Sequence, residues 1–318
     1  MAKDNLFKGL NTKDYFGHKK KVHSVAWNCI GTKLASGSVD QTARIWSIDS
    51  TTGKGKDELE LKGHTDSVDQ LCWDPNNAER LATASGDRTV RIWDTRSGKC
   101  ASTVQTQGEN INISWSPDGS SIAVGNRDDV ITFIDTRTFK ILRTSRFLFE
   151  VNEIAWDKSG EEFFLTTGLG TIEVMTYPEL KTVRSLQAHT AGVYCIAFDP
   201  TGNRFAAGSA DALVSVWDLK HKVCVNTLPR LDWPIRTLSF SHDGKYIASG
   251  SEDLLIDIAD AATGECAHQI QCTAAMNSIA WNPCHNLLAF AGDDRAQDDR
   301  GGSYGREGRL RVFGFPSH

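Results

Sequence analysis

Seven times along the chain a short run of alternating apolar residues closes on the same position, and the spacing between copies is close to constant. With Trp93 as reference, the equivalents are Trp46, Trp93, Ile134, Met175, Trp217, Ala259 and Phe313, at intervals of 47, 41, 41, 42, 42 and 54 residues. One and three places before each reference the residue is apolar, as with Ile92 and Val90, Val174 and Ile172, or Ile258 and Ile256. The residue between them varies freely: Arg44, Arg91, Thr132, Glu173, Ser215, Asp257 and Arg311. Period-two alternation this regular describes a strand with one face buried and the other partly wet. No helical periodicity competes with it.

A second count agrees. Aliphatic, small, aromatic recurs as Val25-Ala26-Trp27, Leu71-Cys72-Trp73, Ile113-Ser114-Trp115, Ile154-Ala155-Trp156, Ile196-Ala197-Phe198, Leu238-Ser239-Phe240 and Ile279-Ala280-Trp281, again seven copies. In five of them a glycine follows the aromatic by four residues, where a hairpin needs positive φ. The cleanest unit runs from Gly63 to Asp94: Gly63-His64, then strand-like runs around Leu71-Cys72-Trp73, Leu81 to Ser85 and Val90 to Asp94. A period of about 40–45 residues with a Trp-Asp ending marks four-stranded propeller blades. The expected fold is all-β, a seven-bladed propeller forming a single domain over residues 1–318.

Composition narrows the class. With 40 % hydrophobic and 24 % charged residues the 318-residue chain is an ordinary globular protein, and no apolar run approaches the ~18 residues that span a bilayer. Met1-Ala2-Lys3-Asp4-Asn5 leads into no signal-peptide apolar core, so a cytosolic or nuclear location is expected, with no membrane partner. The eight cysteines show no C-x-x-C pair and read as small hydrophobes in a reducing compartment. A net charge of −5 and a pI near 6.0 give no global basic footprint for nucleic acid.

On these repeats the chain resembles the WD-repeat β-propellers over essentially its whole length. The resemblance implies a structural tetrad of His, Ser or Thr, Asp and Trp, mapping onto His18, Ser36, Asp40 and Trp46 and onto His64, Thr83, Asp87 and Trp93. The fifth copy keeps His189, Asp211 and Trp217 but has Ala207 in the hydroxyl slot. A repeated His-Asp-Ser set needs no nucleophilic role to explain it. Only Pro316-Ser317-His318 follow the last strand, so Leu6 to Phe16 is the expected donor of the seventh blade's outer strand, with 1–16 as closing strand and lead-in. Two stretches fall outside the pattern: Thr51 to Glu58, read as a solvated loop, and the Gly- and charge-rich 293–308, read as a mobile loop in the last blade.

No P-loop, G-x-S-x-G, H-E-x-x-H or helix-opening G-x-G-x-x-G is present, so no catalytic residue, cofactor or metal site is expected. The departures from the repeat carry more information. At the histidine slot the third, fourth, sixth and seventh copies have Thr106, Phe147, Leu231 and Cys272. The sixth has Ala259 for the tryptophan, and Trp233, the one tryptophan of nine outside a repeat position, lies in the loop before it. Either its indole fills the space beside Ala259, or Trp233 and Arg236 form an interface anchor. The run Lys19-Lys20-Lys21 reads as solvated surface or an auxiliary contact to an acidic partner or phosphate backbone.

Several strings not generic to propellers sharpen the resemblance: Lys21 to Trp27, Gly108-Glu109-Asn110-Ile111-Asn112-Ile113, Ala123 to Val130, Arg230-Leu231-Asp232-Trp233-Pro234 and Ser239 to Lys245. They are similar to the THO-subunit family of propellers. That resemblance implies a non-enzymatic nuclear scaffold of the THO part of the transcription-export complex, coupling transcription to messenger-RNA packaging and export. Its partners would be other THO subunits, chiefly the large helical scaffold subunit, and indirectly a DEAD-box RNA helicase and an export adaptor. RNA contact would be at most auxiliary. The competing class is a peptide- or substrate-reading propeller, such as a ubiquitin-ligase receptor or chromatin reader. Candidate partner-binding residues are Trp233, Arg236, Arg127 and Asn112.

Overall fold

A computed structural model describes residues 6–293 and 308–316. Its 28 strands form seven antiparallel four-stranded sheets, the blades, and no helix is present among the described residues. We letter the strands of each blade a to d outward from the ring centre, where the a strands of neighbouring blades touch. Blades one to six are continuous in sequence, each built a-b-c-d. The first, for example, comprises Val22–Trp27, Lys33–Ser38, Ala43–Ile48 and Gly55–Leu61.

Both sequence counts fall on structural equivalents. The aliphatic-small-aromatic triplets end the a strand in six blades and stop one residue short of its end, Asp74, in blade two, and the seven reference residues lie on the c strands. There the register repeats blade after blade: Leu34 faces Trp46, Leu81 faces Trp93, Ile122 faces Ile134, Phe163 faces Met175, Phe205 faces Trp217, Ile247 faces Ala259 and Leu288 faces Phe313. These pairs are buried between sheets, and each blade stacks its apolar face on the next.

The seventh blade joins the two ends of the chain. Its a, b and c strands are Met276–Trp281, Leu288–Gly292 and Gly308–Pro316, and Leu10–His18 pairs with the last of these as strand d. Leu6 to Gly9 form a turn rather than strand, and that turn inserts Phe7, 1 % exposed, among Tyr246, His268, Trp281 and Phe313 of blades six and seven. The expected loop at 293–308 lies outside the described residues except at its ends, Asp293 and Gly308.

The stretch Thr51 to Glu58 is not simply a solvated loop. From Gly55 it is the d strand of blade one, and before it Gly53 turns at φ +63° with its carbonyl accepting the Tyr15 hydroxyl at 2.8 Å. An exposed, Gly- and Lys-rich run therefore holds the first blade to the closing strand of the seventh. Its composition hides this because both contacts go through the backbone and a glycine.

Candidate functional site

Three blades contain a His-centred hydrogen-bond chain. His18 Nδ1 lies 2.9 Å from Asp40 and Nε2 2.7 Å from Ser36 Oγ, which accepts from Trp46 Nε1 at 2.9 Å. His64 repeats this with Asp87 at 2.8 Å and Thr83 at 2.7 Å, and Trp93 Nε1 donates to Thr83 at 2.9 Å. The carboxylate only accepts, so Nδ1 carries the ring proton, and Nε2 of the neutral ring accepts from the hydroxyl, which in turn accepts the indole N–H. Burial pushes His64 below its ordinary value against the pull of Asp87, consistent with a neutral ring. Burial works the other way on Asp87, but Thr89 and His64 hold its carboxyl down at about 2. A fully buried hydroxyl already committed to two partners is no nucleophile.

The fifth blade solves its missing hydroxyl on the neighbouring strand. Ser215 sits directly across the b–c ladder from Ala207, 2.8 Å from His189 Nε2, and accepts Trp217 Nε1 at 2.8 Å. Sequence reasoning passed over Ser215 because the residue between the c-strand apolar positions looked unconstrained. It is not: Thr132, Ser215, Asp257 and Arg311 are all buried there. In blade six, Asp257 takes a forked contact from Arg230, with Nη2 at 2.6 Å and Nε at 2.9 Å. In blade seven, Arg311 bonds Thr273 at 3.0 Å and lies 3.5 Å from Asp14 of the closing strand. In blades six and seven, where the histidine is lost, a buried charged group on strand c takes its own partners instead.

In blades one, two, three, six and seven, one residue of the a strand joins its blade to the next. Ser24 Oγ accepts from Leu71 N at 3.3 Å, Gln70 Oε1 from Ile113 N, Thr237 Oγ1 from Ile279 N at 3.0 Å and Ser278 Oγ from Val25 N at 3.0 Å. Asn112 Nδ2 instead donates to Asn152 O at 3.1 Å. Asn112 is therefore buried, 2 % exposed, and ties blade three to blade four; it cannot anchor a partner from the surface. Gly125 faces it across the ladder, where any Cβ would fall 2.2 Å from Asn112 Oδ1. The belt changes character at Glu153, which accepts from Gln70 at 2.9 Å and from Ile154 N at 3.0 Å. Burial pushes its carboxyl up to about 7.

In a blade wound a-b-c-d, the d–a and b–c loops emerge on one face and the a–b and c–d loops on the other. Trp233, Arg236 and Arg127 all lie toward the first. Trp233 is 56 % exposed, so it does not pack beside Ala259, whose surroundings are instead Leu231, Leu238, Phe240 and Ile247. Its loop is fixed by Asp253, which accepts Asp232 N at 3.0 Å and Trp233 N at 3.2 Å, as Asp40 accepts Lys19 N at 2.8 Å in blade one. Arg236 pairs with Glu252 beside it. Arg127, paired with Glu109 at 3.2 Å, stands three blades away, so the fold does not bring these candidates into one cluster. What joins Trp233 is apolar: Leu148, Leu169, Tyr194 and Leu254 are exposed on the same face, forming an arc across blades four to six. The Lys19–Lys21 run lies on this face in blade one, with Lys21 3.2 Å from Asp293.

Among the described residues no group of three or more His, Cys, Asp or Glu side chains could hold a metal ion. All eight cysteines are free thiols, and burial pushes those of Cys72 and Cys195 upward, away from reactivity. No helix is long and apolar enough to cross a membrane.

A ring of seven four-stranded blades with His-Ser/Thr-Asp-Trp chains defines a WD-repeat β-propeller. Within that class, the family model described as the THOC3 beta-propeller domain matches residues 18–291, and the chain belongs to that family. It is 60 % identical to "THO complex subunit 3" of Arabidopsis thaliana over 312 residues, covering 98 % of each chain. It is 38 % identical to "WD repeat-containing protein AAC3" of Dictyostelium discoideum, over 98 % of this chain and 68 % of that one.

Proposed function

We propose that this chain is a non-enzymatic nuclear scaffold, a subunit of a THO complex that serves messenger-RNA processing and export. The observation that carries the reading is the 60 % identity to a THO complex subunit along the full length of both proteins. The site chemistry supports it: the histidine, serine and aspartate groups are buried and mutually satisfied, leaving binding rather than bond-making. The arc of Trp233, Tyr194, Leu148, Leu169 and Leu254 is the contact face for another THO subunit, with Arg236 and Arg127 at its polar margin. Large apolar side chains held out on short, hydrogen-bonded loops are pre-organised anchors.

Affinity purification of the tagged chain from nuclear extract, followed by mass spectrometry, tests this. Recovery of the helical THO subunits with the helicase and export adaptor is expected. Recovery of cullin adaptors without THO subunits would replace it with a substrate-receptor role.

A further inference from the structure

The rim of the ring carries a second feature that the loop face does not explain. Every d strand of blades one to six has a register shift opposite the reference residue of strand c, leaving one residue unpaired at the outer edge. In blades two and six that residue is Ala101 or Ala267, and in blade one the position belongs to Glu58. In blades three, four and five it is Leu142, Val183 and Val225, which are 57 %, 58 % and 54 % exposed. Three consecutive blades thus hold an aliphatic knob at the same height on the rim. Ile141 and Val223, also exposed, widen the row.

Scattered single apolar residues need no explanation, but five on adjacent edge strands form a patch that a free sheet edge ordinarily avoids. The charge beside them is equally uneven. Residues 137–146 carry four cations and no acid, 177–187 two cations and one acid, and 219–228 two cations and no acid. That is a net +7 in a chain of net −5. On one side the outer segment of blade six, 261–271, is net negative; on the other, residues 95–105 of blade two add Arg96 and Lys99 with no acid, so the basic strip runs on past the knobs. Lys222 is held by Glu162 at 2.6 Å, and Arg143 and Arg184 donate to backbone carbonyls of the following blades. Arg137, Lys140, Arg146, Lys181 and Lys220 make no ion pair among the described residues and face solvent.

We propose that the rim of blades three to five is a second docking surface, separate from the loop face, that takes an acidic segment of a partner protein bearing aliphatic side chains. The aliphatics seat between the knobs of Leu142, Val183 and Val225, and the carboxylates meet the flanking cations. A nucleic-acid strand would use the cations but not the knobs, and the outer strands Ile141–Arg146, Thr182–Gln187 and Val223–Leu228 carry no aromatic ring on which bases could stack. The apolar row therefore favours protein.

The test uses the full chain and a fluorescent acidic amphipathic peptide of repeating Glu-Glu-Leu-Leu, read by anisotropy. A Glu-Glu-Ser-Ser peptide and a single-stranded oligouridylate serve as comparison probes. The Leu-containing peptide should bind at least about tenfold tighter than either comparison probe. L142S/V183S/V225S and, separately, K140E/R146E/K181E should each lose about tenfold or more, with thermal unfolding within a few degrees of wild type. Trp233→Ala, on the loop face, should leave this binding unchanged. Binding insensitive to the knob substitutions overturns the proposal. So does oligouridylate binding that is tighter than the peptide's and depends only on the cations.

Discussion

At the residue scale, the molecule is governed by whether buried polar groups find partners. The Ser215 hydroxyl serves both His189 and Trp217, and no other hydroxyl bonds to either in the described structure. Ser215→Ala should cost about 1–3 kcal/mol in urea unfolding. Adding Ala207→Ser to that variant rebuilds the blade-one arrangement, and most of the loss should return; an equally unstable double variant would show that the two positions are not interchangeable. Glu153 makes a different prediction. Its folded carboxyl titrates near 7 against an ordinary 4.5, so the folded protein holds that proton more tightly than the unfolded chain. The stability this adds is full below 4.5 and is lost as pH rises through about 7. Between about pH 5 and about pH 8, wild type should therefore lose about 1–3 kcal/mol relative to Glu153→Gln. Parallel pH profiles for the two proteins would contradict the buried-carboxyl account.

At the scale of the element, register explains what the sequence showed and what it withheld. The b–c ladder repeats without slippage in all seven blades, so apolar periodicity alone located the c strands and the hairpins inside them. The two hydroxyl-bearing tetrads were readable because all four members keep their places in the repeat. Ser215 and the Arg230–Asp257 pair were not, because the substituting groups come from another strand or loop and obey no period. Asn112 shows the converse error: a polar residue in a distinctive string looked like surface, yet the same a-strand position lines the channel in every blade. The closing segment also works beyond its strand. Phe7 lies outside Leu10–His18 but is buried between blades six and seven. Phe7→Ala should destabilise by about 3–5 kcal/mol. A shift under about 1 kcal/mol in thermal or urea unfolding would mean that strand pairing alone closes the ring.

For the whole molecule, the ring is a rigid carrier with an uneven surface. Five of its blade junctions carry an a-strand side-chain bond and its closing strand pairs along the seventh blade, while the exposed apolar residues concentrate on the loop face of blades four to six and the rim of blades three to five. The fold and the family were legible from the repeat and a handful of strings. The location of the apolar arc was not, because Leu148, Leu169 and Leu254 are individually ordinary leucines until three blades bring them to one side. The account's central claim is that assembly depends on that arc and not on the tetrads. Its most direct measurement is the affinity of the purified chain for the reconstituted remainder of its THO complex, comparing wild type with W233A/L254A/L169S. The account predicts a loss of at least about tenfold with an unchanged unfolding midpoint. Wild-type affinity in the triple variant would contradict it.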